Sequence, residues 1–164
     1  MSVYLYVVRH GEAIADFTDD KARQLTEHGE WEAKRTGLWI STQVKTLDAV
    51  FCSPYIRAQQ TCDILCKNWI DQKFSKFNVA QLIPSGSHQR CIDEMLAYAQ
   101  LLAEETDTDR HIICVSHMPI VSYLVGELTG FTPVLATAAV AKIKLDTESW
   151  TGVLETLISP DQML

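Results

Sequence analysis

Apolar and polar positions along the chain alternate between short β-branched runs and longer amphipathic stretches. Val3 to Val8 is short, apolar on both faces and rich in valine and tyrosine, which is the pattern of a buried strand. The polar stretch Asp16 to Arg23 reads as a loop. Thr26 is a good N-cap, and Glu27 and Glu30 set carboxylates against the positive end of a helix dipole, predicting a helix to about Gln43. Asp48 to Cys52 is a second strand, closed by Ser53-Pro54. A helix over Ile56 to Ile70 follows, with Cys62, Leu65, Cys66 and Trp69 at helical spacing. Asn78 to Ile83 reads as a weaker strand and Pro84 to Ser87 as a loop. Cys91 to Glu105 repeats apolar residues on one side, predicting an amphipathic helix. His111 to Val115 is another strand. Pro119 suits the first turn of a helix to about Leu128, which Gly130 stops. The tail alternates as two strands, Ala138 to Leu145 and Gly152 to Ile158.

Strands alternating with helices imply parallel pairing, with helices on both faces. The expected architecture is a three-layer α/β/α sandwich with a mainly parallel central sheet, forming one domain over residues 1–164. In such sheets ligands bind beyond the carboxyl ends of the strands. Three of the predicted strands lead there to Arg9-His10, to the loop before Arg57, and to His117. Arginine and histidine have no advantage in a turn, where Asn, Asp, Ser and Gly suit the geometry. Their places at strand ends point to chemistry.

Composition narrows the chemistry. A net charge of -7 opposes a nucleic-acid partner, whose phosphates call for a basic surface. It also means that an anionic substrate needs a local cationic pocket. No apolar run approaches the length of a membrane span, and Arg9 cuts short the first apolar run, so neither a membrane segment nor a signal peptide is expected. Five cysteines without a C-x-x-C pair fit a reduced, cytoplasmic protein with mostly buried thiols. Cys62 and Cys66 have no cluster around them that would hold a metal.

Two arginines stay charged and match phosphate oxygens bidentately. Helices beginning near Arg57 and Pro119 add oriented N–H donors. A neutral histidine in such a cradle can attack phosphorus, and a second, protonated histidine can stabilise charge on the transferring oxygens. These groups supply the positive charge without a metal or other cofactor.

Val8-Arg9-His10-Gly11-Glu12-Ala13 resembles the signature of the histidine phosphatase superfamily, with its phosphoglycerate mutase-like fold. Ser53-Pro54-Tyr55-Ile56-Arg57-Ala58-Gln59-Gln60-Thr61 resembles that family's second motif, and Val115-Ser116-His117 its third. The resemblance runs from about residue 3 to 130. It implies that His10 is the nucleophile, that Arg9 and Arg57 bind the phosphoryl oxygens, and that His117 completes the pocket. Gly11 is expected to clear the approach of phosphate, where a Cβ would crowd it. Ser53 is read as a possible hydrogen-bond donor near the pocket or as a turn residue beside Pro54. Glu12 is read as a solvated neighbour or weak acid.

Most family members carry a carboxylic acid over the site to protonate an alkoxide leaving group. The comparable stretch here, Gln81 to Arg90, contains no carboxylate. An ester phosphatase gains roughly 10²–10⁴-fold from a general acid. A phosphorylated imidazole needs less help, since its ring can carry a proton and depart neutral. Together with Arg23-Gln24-Leu25-Thr26, this resembles the small SixA-type phosphohistidine phosphatases and implies a phosphate-clamping role for Arg23. Arg23 could equally pair with Asp16, Asp19 and Asp20. The partner implied is a phosphorylated histidine-containing phosphotransfer protein, with the chain acting as a monomer. Rival readings are a small-molecule phosphomonoesterase of the same fold and a phosphate-binding regulatory module that does not turn over. His88 reads as a surface-loop histidine, and His28 and His111 as structural or exposed.

Overall fold

The computed structural model describes residues 1–105 and 107–163. Six strands form one sheet in the order β3-β2-β4-β1-β5-β6. They are β1 (Val3–Arg9), β2 (Ala49–Cys52), β3 (Ser75–Asn78), β4 (Arg110–Ser116), β5 (Val140–Asp146) and β6 (Thr151–Ile158). The first four pair in parallel, whereas β5 lies antiparallel to both β1 and β6. The sheet is therefore mixed and mostly parallel. Four α-helices cover it: α1 (Glu27–Gln43), α2 (Ile56–Cys66), α3 (His88–Glu105) and α4 (Ile120–Thr129).

Strand periodicity sorts the core into two layers. Leu5 and Val7 pack with Leu96 of α3 and Leu124 of α4 on one face. Tyr6 and Val8 turn the other way, toward Ile40 of α1 and Leu65 of α2. Burial on both faces explains why β1 reads as a continuous apolar run. Thr26 caps α1 as expected, its hydroxyl accepting from the Gly29 N–H. Gly130, in the left-handed region at φ 79°, ends α4.

Three boundaries differ from expectation. The weak strand at Asn78 to Ile83 is instead β3, three residues earlier, followed by a single helical turn over Ala80–Leu82. As a sheet-edge strand with all four residues exposed, β3 carries no apolar signature to read. The helix from Ile56 stops at Cys66 and continues as a tight turn over Lys67–Trp69. The third helix begins at His88 rather than Cys91. Four cysteines are buried and Cys66 is half-buried, all as free thiols. Among the described residues, no helix is long and apolar enough to cross a membrane.

Candidate active site

Sheet order builds the site. β2, β4 and β1 are adjacent and parallel, so their carboxyl ends open side by side. Ladder hydrogen bonds carry the alignment past the strand ends: the His10 N–H donates to Ser116 O at 3.0 Å, and the Ser53 N–H to Val115 O at 3.0 Å. Arg57 enters from the first turn of α2. The result is a cavity of about 350 Å³ whose walls include Arg9, His10, Arg23, Arg57 and His117. Residues from four separate stretches of the sequence thus meet in one place.

His10 is buried, and its two ring nitrogens have different partners. Nδ1 lies 2.7 Å from the Gly11 carbonyl oxygen, and Arg57 Nε–H donates to Nε2 at 3.2 Å. A carbonyl can only accept, so Nδ1 carries the proton and Nε2 keeps the lone pair. Burial lowers the His10 pKa from 6.5 to about 4. The Gly11 carbonyl opposes that shift, while Arg57, Arg9 and Arg23 reinforce it. The imidazole is therefore neutral at neutral pH.

Arg9 and His117 flank it. Arg9 donates one N–H to the Leu135 carbonyl at 2.9 Å, while its Nε is buried with no partner. The His117 ring stands 5.0 Å from the His10 ring, and its Nδ1 is likewise buried without a partner. Its Nε2 lies 2.7 Å from Ser53 Oγ. That oxygen already accepts the Tyr55 N–H, so the hydroxyl proton is free to point at Nε2. This arrangement leaves a proton on Nδ1. The protonation of His117, which the sequence leaves open, leans to neutral: burial, then His10 and the arginines Arg57, Arg9 and Arg23, drive its pKa far below 6.5. Its imidazole is neutral, and the arginines carry the positive charge.

Arg57 and Arg23 share a different partner. Arg57 Nη2 lies 3.3 Å from Asp20 Oδ2, and Arg23 Nη1 lies 3.1 Å from Asp20 Oδ1. Arg23 also donates from Nε to the Ile14 carbonyl at 2.8 Å and lies over the Phe17 ring. Of the two readings of Arg23, the pairing with the acidic run is seen, at Asp20, and the residue also lines the cavity.

Other expected residues have indirect places. A Cβ at Gly11 would meet Gly29 O of α1 at 2.5 Å, so the glycine serves helix–loop packing and not the approach of phosphate. Ser53 is fully buried and holds His117, outside the cavity wall. Glu12 does line the cavity, with its carboxylate accepting from the Thr26 hydroxyl at 3.0 Å. His88 lies away from the cavity, packed against Tyr123.

The sequence reading missed Glu32. This buried carboxylate of α1 accepts from the Glu12 N–H at 2.9 Å and from the hydroxyl of Thr137, which lines the cavity. A signal existed in the small residues Gly29, Ala33 and Thr36, which mark the buried face of α1; Gly29 packs against the Glu12 backbone and Thr36 donates to the Ala138 carbonyl.

Residues 5–75 match the histidine phosphatase superfamily (branch 1). Phosphohistidine phosphatase SixA of Escherichia coli strain K12 is 32% identical over 158 residues, covering 95% of this chain and 93% of that protein. A SixA homolog of Haemophilus influenzae is 33% identical over 132 residues, 77% of each chain. In three dimensions, the structure of the protein histidine phosphatase SixA complexed with tungstate superposes with a TM-score of 0.81. That match has 31% identity and covers 96% of this chain and 97% of the other. With its fold, its strand-end residues and these relatives in agreement, the chain belongs to the histidine phosphatase superfamily.

Proposed function

We propose that the protein hydrolyses phosphohistidine on a histidine-containing phosphotransfer protein, through a phosphorylated His10, as a single domain. The observation that carries this reading is the tautomer of His10. A neutral imidazole with Nδ1–H on the Gly11 carbonyl presents the Nε2 lone pair to phosphorus. In the first step that lone pair forms a P–N bond while the substrate's P–N bond breaks. The bonding pair returns to the substrate imidazole, which leaves neutral if its other nitrogen carries a proton. His10 now holds both the phosphoryl group and its Nδ1 proton, the same charge state that the substrate gave up. Water then attacks phosphorus, the P–Nε2 bond breaks, and dihydrogen phosphate leaves with neutral His10.

Transfer between two imidazoles is nearly balanced, so no strong acid is required. This agrees with a cavity wall at Pro84 where a carboxylate was sought, and with the SixA relatives, which are phosphohistidine phosphatases. A SixA structure complexed with tungstate, a tetrahedral oxyanion, supports a phosphoryl ligand for this family; in this chain Arg9, Arg57, Arg23 and His117 line the cavity that would hold it. Exposed Ile14, Phe17 and Val134 adjoin the cavity residues Ala13 and Arg23 and the Arg9 partner Leu135. They give a protein substrate apolar surface beside the reacting centre.

The test sets a phosphotransfer domain labelled on phosphorus beside a panel of phosphate monoesters. Fast loss of label with sluggish ester hydrolysis is expected, and His10→Ala should abolish turnover while keeping the fold by circular dichroism. Efficient monoester turnover, with kcat/KM above about 10⁴ M⁻¹s⁻¹, would replace the substrate class. Full activity of His10→Ala would sink the mechanism.

A further inference from the structure

We propose that Asp20 is a specificity-determining residue, an internal anion that holds the phosphoryl position in the resting protein and yields to a phosphoryl group. The proposal rests on the reading of this cavity as a phosphoryl site.

Arg57 has no uncommitted nitrogen. Nε donates to His10 Nε2, Nη1 to the Asp20 backbone carbonyl at 2.6 Å, and Nη2 pairs with Asp20 Oδ2. The other carboxylate oxygen pairs with Arg23. One carboxylate thus bridges two arginines, one oxygen to each, in the way a phosphoryl group would. The Arg57 Nε–H also covers the lone pair with which His10 must attack. A substrate therefore has to draw Arg57 away from both His10 and Asp20.

The two partners differ in how readily they move. The Arg57 side chain is 4% exposed, whereas that of Asp20 is 48% exposed. Asp20 opens a single helical turn, Asp20–Ala22, with no buried residue and no side-chain cap. Moving it disturbs little of the core. Arg23 and Arg57 hold its pKa below 3.8, so it is ionised throughout the neutral range.

An entering carboxylate would replace one monoanion by another and gain little. A phosphoryl group brings greater charge and three oxygens, so it reaches Arg9 and His117 as well. Asp20 therefore filters for phosphoryl against carboxylate ligands, and its return helps expel phosphate after hydrolysis.

The experiment titrates inorganic phosphate and acetate calorimetrically into wild type, Asp20→Asn, Glu12→Gln and Arg57→Ala. Glu12 lines the same cavity but makes no ion pair with either arginine, so it reports the effect of lost charge alone. Expected is phosphate binding about fivefold tighter for Asp20→Asn, the scale of one exposed ion pair. Its preference for phosphate over acetate should narrow, and Glu12→Gln should shift phosphate binding by less than twofold. Equal or weaker phosphate binding by Asp20→Asn, with Arg57→Ala impaired, overturns the filter but keeps the phosphoryl site. The same holds if Glu12→Gln matches Asp20→Asn. Undiminished phosphate binding by Arg57→Ala, or none by wild type, overturns both.

Discussion

The two sides of the cavity are built in opposite ways. On the strand side, Arg9 ends β1 and His117 directly follows β4, and each keeps a buried nitrogen without a partner. On the loop side, Arg23 and, from the first turn of α2, Arg57 spend their N–H groups on Asp20, His10 and the Ile14 carbonyl. A buried donor without a partner costs about 1–3 kcal/mol, and the sheet ends bear that penalty because the backbone ladder fixes them. The loop, lacking such support, satisfies its own charges. The strand side is thus preorganised for an anion, while the loop side must let go before it can bind.

The largest expected effect breaks the preorganised side. Arg9→Ala removes a donor that already stands free, and the loss should appear in kcat as well as kcat/KM, by about 10²–10³-fold. Steady-state kinetics on the phosphorylated phosphotransfer domain, with a thermal melt to exclude unfolding, would measure it. A loss smaller than that of Arg23→Ala would show that the two sides are not as different as their hydrogen bonds indicate.

The next effect concerns the support beneath the strand side. Gly11→Ala would drive a Cβ against the Gly29 carbonyl of α1, a backbone group that cannot swing aside. The Gly11 N–H also donates to Thr61 of α2, so this one residue joins two helices to the end of β1. Urea unfolding should show a loss of about 2 kcal/mol, the usual scale of overpacking. An unchanged midpoint would mean that α1 yields more readily than its packing suggests.

These two sides were not equally legible in the sequence. Arg9, His10 and His117 follow strands whose apolar runs can be read directly, and the parallel register then brings them together. The loop side depends on a single helical turn at Asp20–Ala22, which no hydrophobic period announces. Asp20 was visible only as one of several acidic residues. Glu32 was hidden for a different reason. A glutamate on an amphipathic helix is ordinarily solvated; the Glu12 N–H and the Thr137 hydroxyl, 20 and 105 residues away, together with His28 one turn before it, make its burial tolerable. The neutral state of His117 was also beyond reach, since it follows from burial beside three arginines. Edge strand β3 was misplaced because exposed strands need no apolar pattern.

A smaller effect follows from burying two neutral histidines. His10 titrates near 4 in the folded protein and near 6.5 when unfolded, and His117 is lowered further. Between those values the unfolded chain binds more protons, so stability falls as pH falls below 6.5. For His10 the fall ends near pH 4, while for His117 it continues to lower pH. Burial is the largest cause of both shifts; Arg57, Arg9 and Arg23 add to each, and His10 adds to that of His117. Chemical denaturation between pH 7 and 4.5 should reveal a slope of up to about 1.4 kcal/mol per pH unit for each histidine. His117→Ala should lose about half of that slope. Equal slopes in wild type and variant would mean that His117 is already charged in the native state.

The smallest effect is the sharpest probe of the comparison. Arg23→Ala removes a full positive charge from the cavity wall, and charge alone would predict a loss like that of Arg9. Arg23, however, donates to the Ile14 carbonyl and shares Asp20 with Arg57. Removing it takes away one contact to the phosphoryl group and also loosens the carboxylate that competes for Arg57. The two consequences oppose each other. The expected outcome is a rise in KM of about fivefold with kcat nearly unchanged, because a contact made equally in ground and transition states affects binding alone. Combining Arg23→Ala with Asp20→Asn separates the terms. If Asp20 competes as the geometry indicates, the double variant should bind phosphate more tightly than Arg23→Ala alone. If the double variant binds phosphate no better, Arg57 is not being held back, and the loop side is as ready for an anion as the strand side.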